Sequence, residues 1–568
     1  MYFPQLKNSR QSRVSVSRFL GLDRRPRGAE GSFREMENLC PGGYPTLEVR
    51  KGRRLAATVA EPGGLCAKDA LIWVDGHSLY VNGAATGLEL TEGRKQLIGM
   101  GAWLVIWPDK LYINTQDLTD FGSLENRRET EGQVSFSLCR ADGSAYSGYL
   151  AAETAPEAPE NGALWLDTGS EPCRLWQYGQ EGWMALDDVC VGIRAAGLGT
   201  GFAAGDGVRI SGCREEALNG RFVLQAATEE QLVVKAVPRG LSEQTEKVTV
   251  QRTVPEMDYV IESGNRLWGC KYGMVDGQAV NEIYASKLGD FKNWMCFAGL
   301  STDSYAASRG SDGAFTGAVD YLGSPLFFKE DCIERVYPSA AGAHQIVTLR
   351  CSGIRAGSAA SAQVVDGKLY YHAPEGVCVF DGSLPVNVSQ ALGPGRYQNA
   401  VAGQRDGCYY LSVRDEAGQE SLLVLDTRQG LWYRENGVDA VGFARWGGAL
   451  YCLTAAGQLL ELDGGEERVH WLAETGELGL DEAESRYLQR LSLRLLPEAG
   501  SMVRAKLSYD QGRSWQPAGQ LSGTGRLRAC TMQLRPRRCH QLRLRLEGEG
   551  GCTLYSLSAV YAKGSDET

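Results

Sequence analysis

Histidine is nearly absent from this chain: His77, His344, His372, His470 and His540 are the only five in 568 residues. None stands in H-x-H or H-E-x-x-H spacing, and His540 beside Cys539 would point to the opposite face of a strand, so a metal centre has no support. The sixteen cysteines contain no C-x-x-C pair, which removes the common zinc and redox motifs. They read as free thiols acting as small buried hydrophobes, since the N-terminus carries no apolar signal region. No apolar run reaches the roughly 18 residues of a membrane helix. Phosphate loops and nucleophile elbows are missing as well. The glycine-rich run 197–207 leads into the strand-like Val208-Arg209-Ile210, whereas a phosphate cradle must open a helix, so it reads as a hairpin connection.

What is abundant is glycine, 71 residues against 19 prolines, well above the usual share of about 7%. Without a collagen period this means many tight turns between short strands, an all-β chain. A repeat supports that reading. Asp366-Gly-Lys-Leu-Tyr370, Asp406-Gly-Cys-Tyr-Tyr410 and Gly447-Gly-Ala-Leu-Tyr451 place a turn before an apolar strand, with the last tyrosines 40 and 41 residues apart. Weaker copies end on or near Tyr80, Tyr112, Trp268 and Phe327, and Trp294 and Trp432 look like blade-closing residues. A unit of about 40 residues with several short strands has the size of a β-propeller blade, which cannot bury both faces of its sheet alone. Tyr370, Tyr410 and Tyr451 are then core aromatics between blades.

The expected fold is therefore all-β: a six- or seven-bladed β-propeller with an inserted small β domain and a C-terminal β-sandwich. The boundaries are 1–55 for an N-terminal basic arm and first strand, 56–145 for the first part of the propeller and 146–253 for the insertion. The second part of the propeller covers 254–472 and the sandwich 478–563, with a short helix within 480–489 near its start. Period-two alternation over 491–496, 503–508, 527–534 and 542–546 describes strands buried on one face, with Arg535, Arg537, Arg538, Arg543 and Arg545 on the solvent side.

Ser508-x-Asp510-x-Gly512-x-x-Trp515 resembles the Asp-box hairpin of sialidase-type propellers, a structural turn. It occurs once, and the arginine cluster and Tyr/Glu pair of a sialidase cannot be picked out. Carboxylate pairs such as Glu330/Asp331 and Asp187/Asp188 read as solvated surface.

Charge is uneven: +5 over 1–30, −20 over 31–480 and +5 over 481–568, for a net −10. Duplex binding by the whole surface is disfavoured, because phosphate contacts need a basic face. The basic arm offers Lys7, Arg10, Arg13, Arg18, Arg24, Arg25 and Arg27.

The segment Phe19-Leu-Gly-Leu-Asp23, Met36-Glu-Asn-Leu39 and Pro45-x-Leu47-x-x-Arg50-x-Gly52 resembles the start of bacteriophage tail proteins, above all the propeller-bearing tail nozzle or DNA-stabilisation type. The hairpin 369–382 and the stretch 508–545 are similar to that group too, with Gln511 in place of a glycine and His540 in place of an arginine; the resemblance does not extend to the insertion. The resemblance implies a structural, non-enzymatic virion component without cofactor, assembled in the bacterial cytoplasm. Six copies would form a ring continuing the portal channel, docking by the arm on a portal or adaptor ring and retaining, then releasing, phage DNA. The alternative is a carbohydrate-binding or sialidase-like propeller.

Overall fold

The structure, a computed structural model, describes residues 11–478, 486–534, 538–539 and 542–563. Among them the only helical elements are three single turns, Glu216–Leu218, Ala359–Ser361 and Gln390–Leu392. Everything else regular is strand, and no helix is long and apolar enough to cross a membrane.

Seven sheets have the four-stranded form of a propeller blade, six of them hydrogen-bonded in sequence order. We number them blade 1 (62–89), blade 2 (96–123), blade 3 (259–308), blade 4 (317–350), blade 5 (363–387), blade 6 (397–436) and blade 7 (440–465). Blade 7 supplies only three of its own strands. Its fourth is Gly52–Thr58, with Leu459 opposite Ala57 and Leu460 opposite Leu55. The chain is thus of the β-propeller fold class, and the expected boundary at 55 cuts the strand that completes the last blade.

The repeat spacing follows from turn chemistry. Blades 4 to 7 open on two-residue hairpins whose central residues are both left-handed: Leu322-Gly323, Asp366-Gly367, Asp406-Gly407 and Gly447-Gly448. Such turns match the strand twist and favour Asp or Gly followed by Gly. In blades 3 to 7 the marker aromatic sits on the second strand, but Tyr80 and Tyr112 sit on third strands, Ser78–Val81 and Leu111–Asn114. A blade has two hairpins that can carry the same signature, which is why the early spacing departs from 40. Second strands are apolar without alternation because a blade covered on both sides buries both faces. Ser324–Phe328 is buried along its whole length, and Lys368–Ala373 everywhere after its first residue.

The chain divides into two compact units. The first holds blades 1, 5, 6 and 7 and the sandwich. Here Tyr370 of blade 5 and Tyr409 of blade 6 bring their rings to 5.6 Å, and Gly403 of blade 6 lies so close to blade 7 that a Cβ would fall 2.5 Å from Phe443 Cβ. Only glycine fits there.

The sandwich has two sheets. One runs Phe33–Glu37, His470–Thr475, Arg543–Glu549, Met502–Ser508, Gln516–Ser522. The other carries Leu39–Cys40, Leu47–Val49, Cys552–Lys563, Arg486–Pro497 and Arg528–Gln533, with Gln11–Val16 on Cys552–Lys563 and Arg538–Cys539 on Arg486–Pro497. Four N-terminal strands therefore belong to a domain expected to start at 478, and His470–Thr475, whose first three residues fall within the expected propeller segment 254–472, is a sandwich strand. The short helix expected over 480–489 is corrected from Arg486 onward, where the chain is strand; 479–485 lie outside the described residues. A strand with charged residues at several outward positions and a helix face look alike over so few residues.

The second unit holds blades 2 and 3, most of blade 4, and the insertion. The insertion runs from Asn126–Glu129 to Thr249–Arg252, two strands paired with each other, so the chain leaves and rejoins the blades side by side. It starts earlier than the expected 146, because its first two strands, Asn126–Glu129 and Ser135–Cys139, precede that boundary. It has a seven-stranded sheet and a four-stranded sheet over a core that includes Leu166, Leu175, Val191, Ile193, Leu224 and Val250.

Candidate functional site

The motif residues of the N-terminal segment meet at one buried joint in the first unit. Asn38 stands at φ +59°, a conformation that asparagine tolerates better than most residues. Its Nδ2 donates to the His470 carbonyl (2.7 Å), and its Oδ1 accepts from Arg50 Nε (2.9 Å) and from the Asn436 N–H (3.0 Å). Arg50, 7% exposed, also donates to Lys51 O (2.7 Å), Asn436 Oδ1 (2.7 Å) and Glu467 Oε1 (3.0 Å). Arg53 donates to Glu435 Oε2 at 3.1 Å, and Glu435 is 6% exposed. The N-terminal segment, the last strand of blade 6 and the first sandwich strand after blade 7 are thereby pinned together. A planar guanidinium suits this place, since its fixed fork reaches several acceptors at once.

Of the seven arm cations five are described, and three of these have partners within the chain. Lys7 and Arg10 lie outside the described residues. Arg24 donates to Glu35 (2.9 Å), Arg25 forks onto Asp23 (2.8 and 2.7 Å), and Arg18 hydrogen-bonds the Tyr44 hydroxyl. Arg13 and Arg27 are exposed.

Ser508, Asp510, Gly512 and Trp515 form one turn between the strands Met502–Ser508 and Gln516–Ser522. Asp510 Oδ1 accepts from Ser508 Oγ (2.8 Å) and the Ser514 N–H (2.9 Å), while the Gly512 N–H donates to Ser508 Oγ (2.8 Å) and Gly512 takes φ +89°. The Ser514 hydroxyl and N–H together hold the Asp510 carboxyl down to about 2. Trp515 lies under the Arg545 guanidinium, 4.1 Å from its ring centre. The arginine-studded solvent face needs correction. Arg543 is 9% exposed and pairs with Glu474 (3.4 Å), and Arg545 pairs with the same carboxylate at 2.8 Å. An alternating strand signal cannot say that a buried glutamate waits on the covered face. Arg535 and Arg537 lie outside the described residues, as does the side chain of Arg538.

Tyr370 and Tyr410 are buried between blades and Tyr451 is half-buried. Next to Tyr370, His372 is 2% exposed, with Nδ1 3.1 Å from Ser358 Oγ. Burial, helped by the nearby Arg355 charge, pushes it down to about 4.

A second joint was not visible in the sequence. Asp206, Arg252 and Asn293 are 4%, 6% and 1% exposed. Arg252 Nη1 donates to Asp206 Oδ2 (2.6 Å), Asn293 Nδ2 to Asp206 Oδ1 (2.9 Å), and the Gly207 N–H to Asn293 Oδ1 (2.9 Å). The only available hint was an acidic residue inside a glycine-rich run, too common a pattern to single out.

The fifteen cysteines whose side chains are described are free thiols. Among the described residues no group of three or more His, Cys, Asp or Glu side chains is placed to hold a metal ion.

No protein-family model matches the chain, and no curated protein does. Solved structures similar to it include an exo-β-1,3-galactanase from Phanerochaete chrysosporium (7% identity, 53% of this chain and 94% of that one, TM-score 0.21). The Trypanosoma rangeli sialidase is 10% identical over 98% of this chain and 96% of its own, TM-score 0.24. The extracellular domain of a putative one-component system from B. thetaiotaomicron is 12% identical over 90% and 85%, TM-score 0.26. The expectation of a non-enzymatic chain is corrected on this ground: two of these three are enzymes, so the fold class gives no reason to set catalysis aside. At these scores the likeness assigns no activity to this chain.

Proposed function

We propose that this chain is a bacteriophage tail component, a subunit that assembles with copies of itself into a ring continuing the portal channel, where DNA is held and later released. One observation supports the reading most. The residues that carry the resemblance to tail proteins, Asn38 in M-E-N-L and Arg50 in P-x-L-x-x-R-x-G, are mutually hydrogen-bonded at 2.9 Å and tie three elements of the first unit together. Their spacing thus answers a structural need, which makes a shared architecture a better explanation than a chance match. The strand that completes blade 7 begins at Gly52, immediately after this joint. In a subunit under load from packaged DNA, such a tie would keep the last blade from peeling. The acidic stretch 31–480, net −20, is suited to let phosphates slide past without adhering.

Negative-stain images of the full-length protein, alone and with the adjacent tail adaptor, test the proposal. Closed rings in either sample are expected. Single particles only, with the adaptor present and bound, would contradict ring assembly.

A further inference from the structure

The smaller sheet of the insertion turns an aromatic face away from the insertion's core. Its strands are Tyr149–Ala152, Leu164–Asp167, Arg174–Gly179 and Gly182–Ala185. Trp165 stands opposite Trp176, and Tyr178 opposite Trp183, so all four rings share one face. Leu166 and Leu175, on the other face, enter the core. Trp165 and Trp176 lie nearly parallel, 6.2 Å apart at 21°. Trp183 meets Trp165 edge-on at 5.5 Å and Tyr178 at 5.2 Å. Trp165 is fixed by its Nε1, which donates to Ala152 O at 2.9 Å, but Trp176 Nε1 is buried with no acceptor. Trp176, Tyr178 and Trp183 keep part of their surface in water, beside Leu150, 54% exposed.

We infer that this face is a carbohydrate-binding site that stacks pyranose rings of a neutral oligosaccharide. Three rings of this face, Trp176, Tyr178 and Trp183, keep surface in water, and the C–H face of a pyranose packs on an aromatic quadrupole as another ring edge would. Charge separates this ligand from the other class that stacks on aromatics. Glu153, Glu181 and Asp187, exposed at the ends of these strands, outnumber the exposed Arg174. They repel nucleic-acid phosphates, while carboxylates accept hydrogen bonds from sugar hydroxyls. The unsatisfied Trp176 Nε1 is a donor that a hydroxyl can satisfy after a small ring rotation. This inference does not depend on the tail reading.

Native electrophoresis of the full-length protein through gels holding xylan, mixed-linkage β-glucan, mannan or dextran tests it. Retardation on at least one is expected, weakened about tenfold or more by Trp183→Ala and by Trp176→Ala. Trp183→Phe should keep part of it if the alanine variant fails to fold, and Met184→Ala, on the opposite face, should change nothing. No retardation of the parent protein on any polysaccharide overturns the site. So does retardation that both tryptophan variants retain, or binding to a single-stranded oligonucleotide or a proline-rich peptide instead.

Discussion

The two domains added to the blades are attached in opposite ways. The sandwich is woven: strands from residues 11–49 pair with strands from 470 onward, and the segment that links them to blade 7 passes through the Asn38–Arg50 joint. The insertion is spliced: one pair of neighbouring strands, Asn126–Glu129 and Thr249–Arg252, leads out and back, and the Asp206–Arg252–Asn293 cluster sits at that doorway. Both joints bury an arginine against carboxylates and an asparagine, the pairing that makes a buried charge tolerable. The lesson lies in what each joint holds. A woven domain shares its stability with the blade it completes, whereas a spliced one can loosen without unfastening its host.

Arg50→Ala should give the largest effect, since it takes the guanidinium away from the buried Asn38 and removes one of the two arginines beside the buried Glu435. A loss of about 3–5 kcal/mol is expected, seen in guanidinium unfolding as early, joint melting of the sandwich and blade 7. Separate melting would break the comparison. Asp206→Ala leaves Arg252 buried without its carboxylate, and about 3 kcal/mol is expected. Here limited proteolysis should release 126–252 while the blades stay protected; simultaneous cleavage of the blades would show that the splice is not independent.

Acid should sharpen the contrast. His372 titrates near 4 when folded and near 6.5 in an unfolded chain. Its neutral form is the one the fold accepts, so its contribution is complete above pH 6.5 and is lost as pH falls toward 4, at most about 3 kcal/mol. Thermal melts between pH 7 and 4 should move the first unit, which carries His372, and a His372→Gln variant should flatten that dependence. An equal shift in the variant would rule His372 out as its source. Met274→Ser, at a position 67% exposed on a blade 3 hairpin, should change stability by less than about 0.5 kcal/mol.

Blade chemistry was legible because a propeller repeats its turns. Asp366-Gly367 and Asp406-Gly407 announce left-handed hairpins on their own, and an aromatic a few residues later marks a strand covered on both faces. Domain boundaries were harder to read. Nothing in Gln11–Val16 says that its partner is Cys552–Lys563, because a strand's alternation shows which face is buried and never what pairs with its edge. The joints divide in the same way. Arg50 and Asn38 stood out through a resemblance, while Glu435 and Asp206 looked like surface acids until the fold buried them beside arginines. Arg543 was read as solvent-facing for the same reason.

Membership of a virion is the claim on which the functional account turns, and peptide mass spectrometry addresses it directly. Virions purified on a density gradient from an induced lysate of a bacterium encoding this chain should yield its peptides in constant ratio to the portal protein across the virion fractions. Intact virions that contain portal peptides and none from this chain would contradict the account.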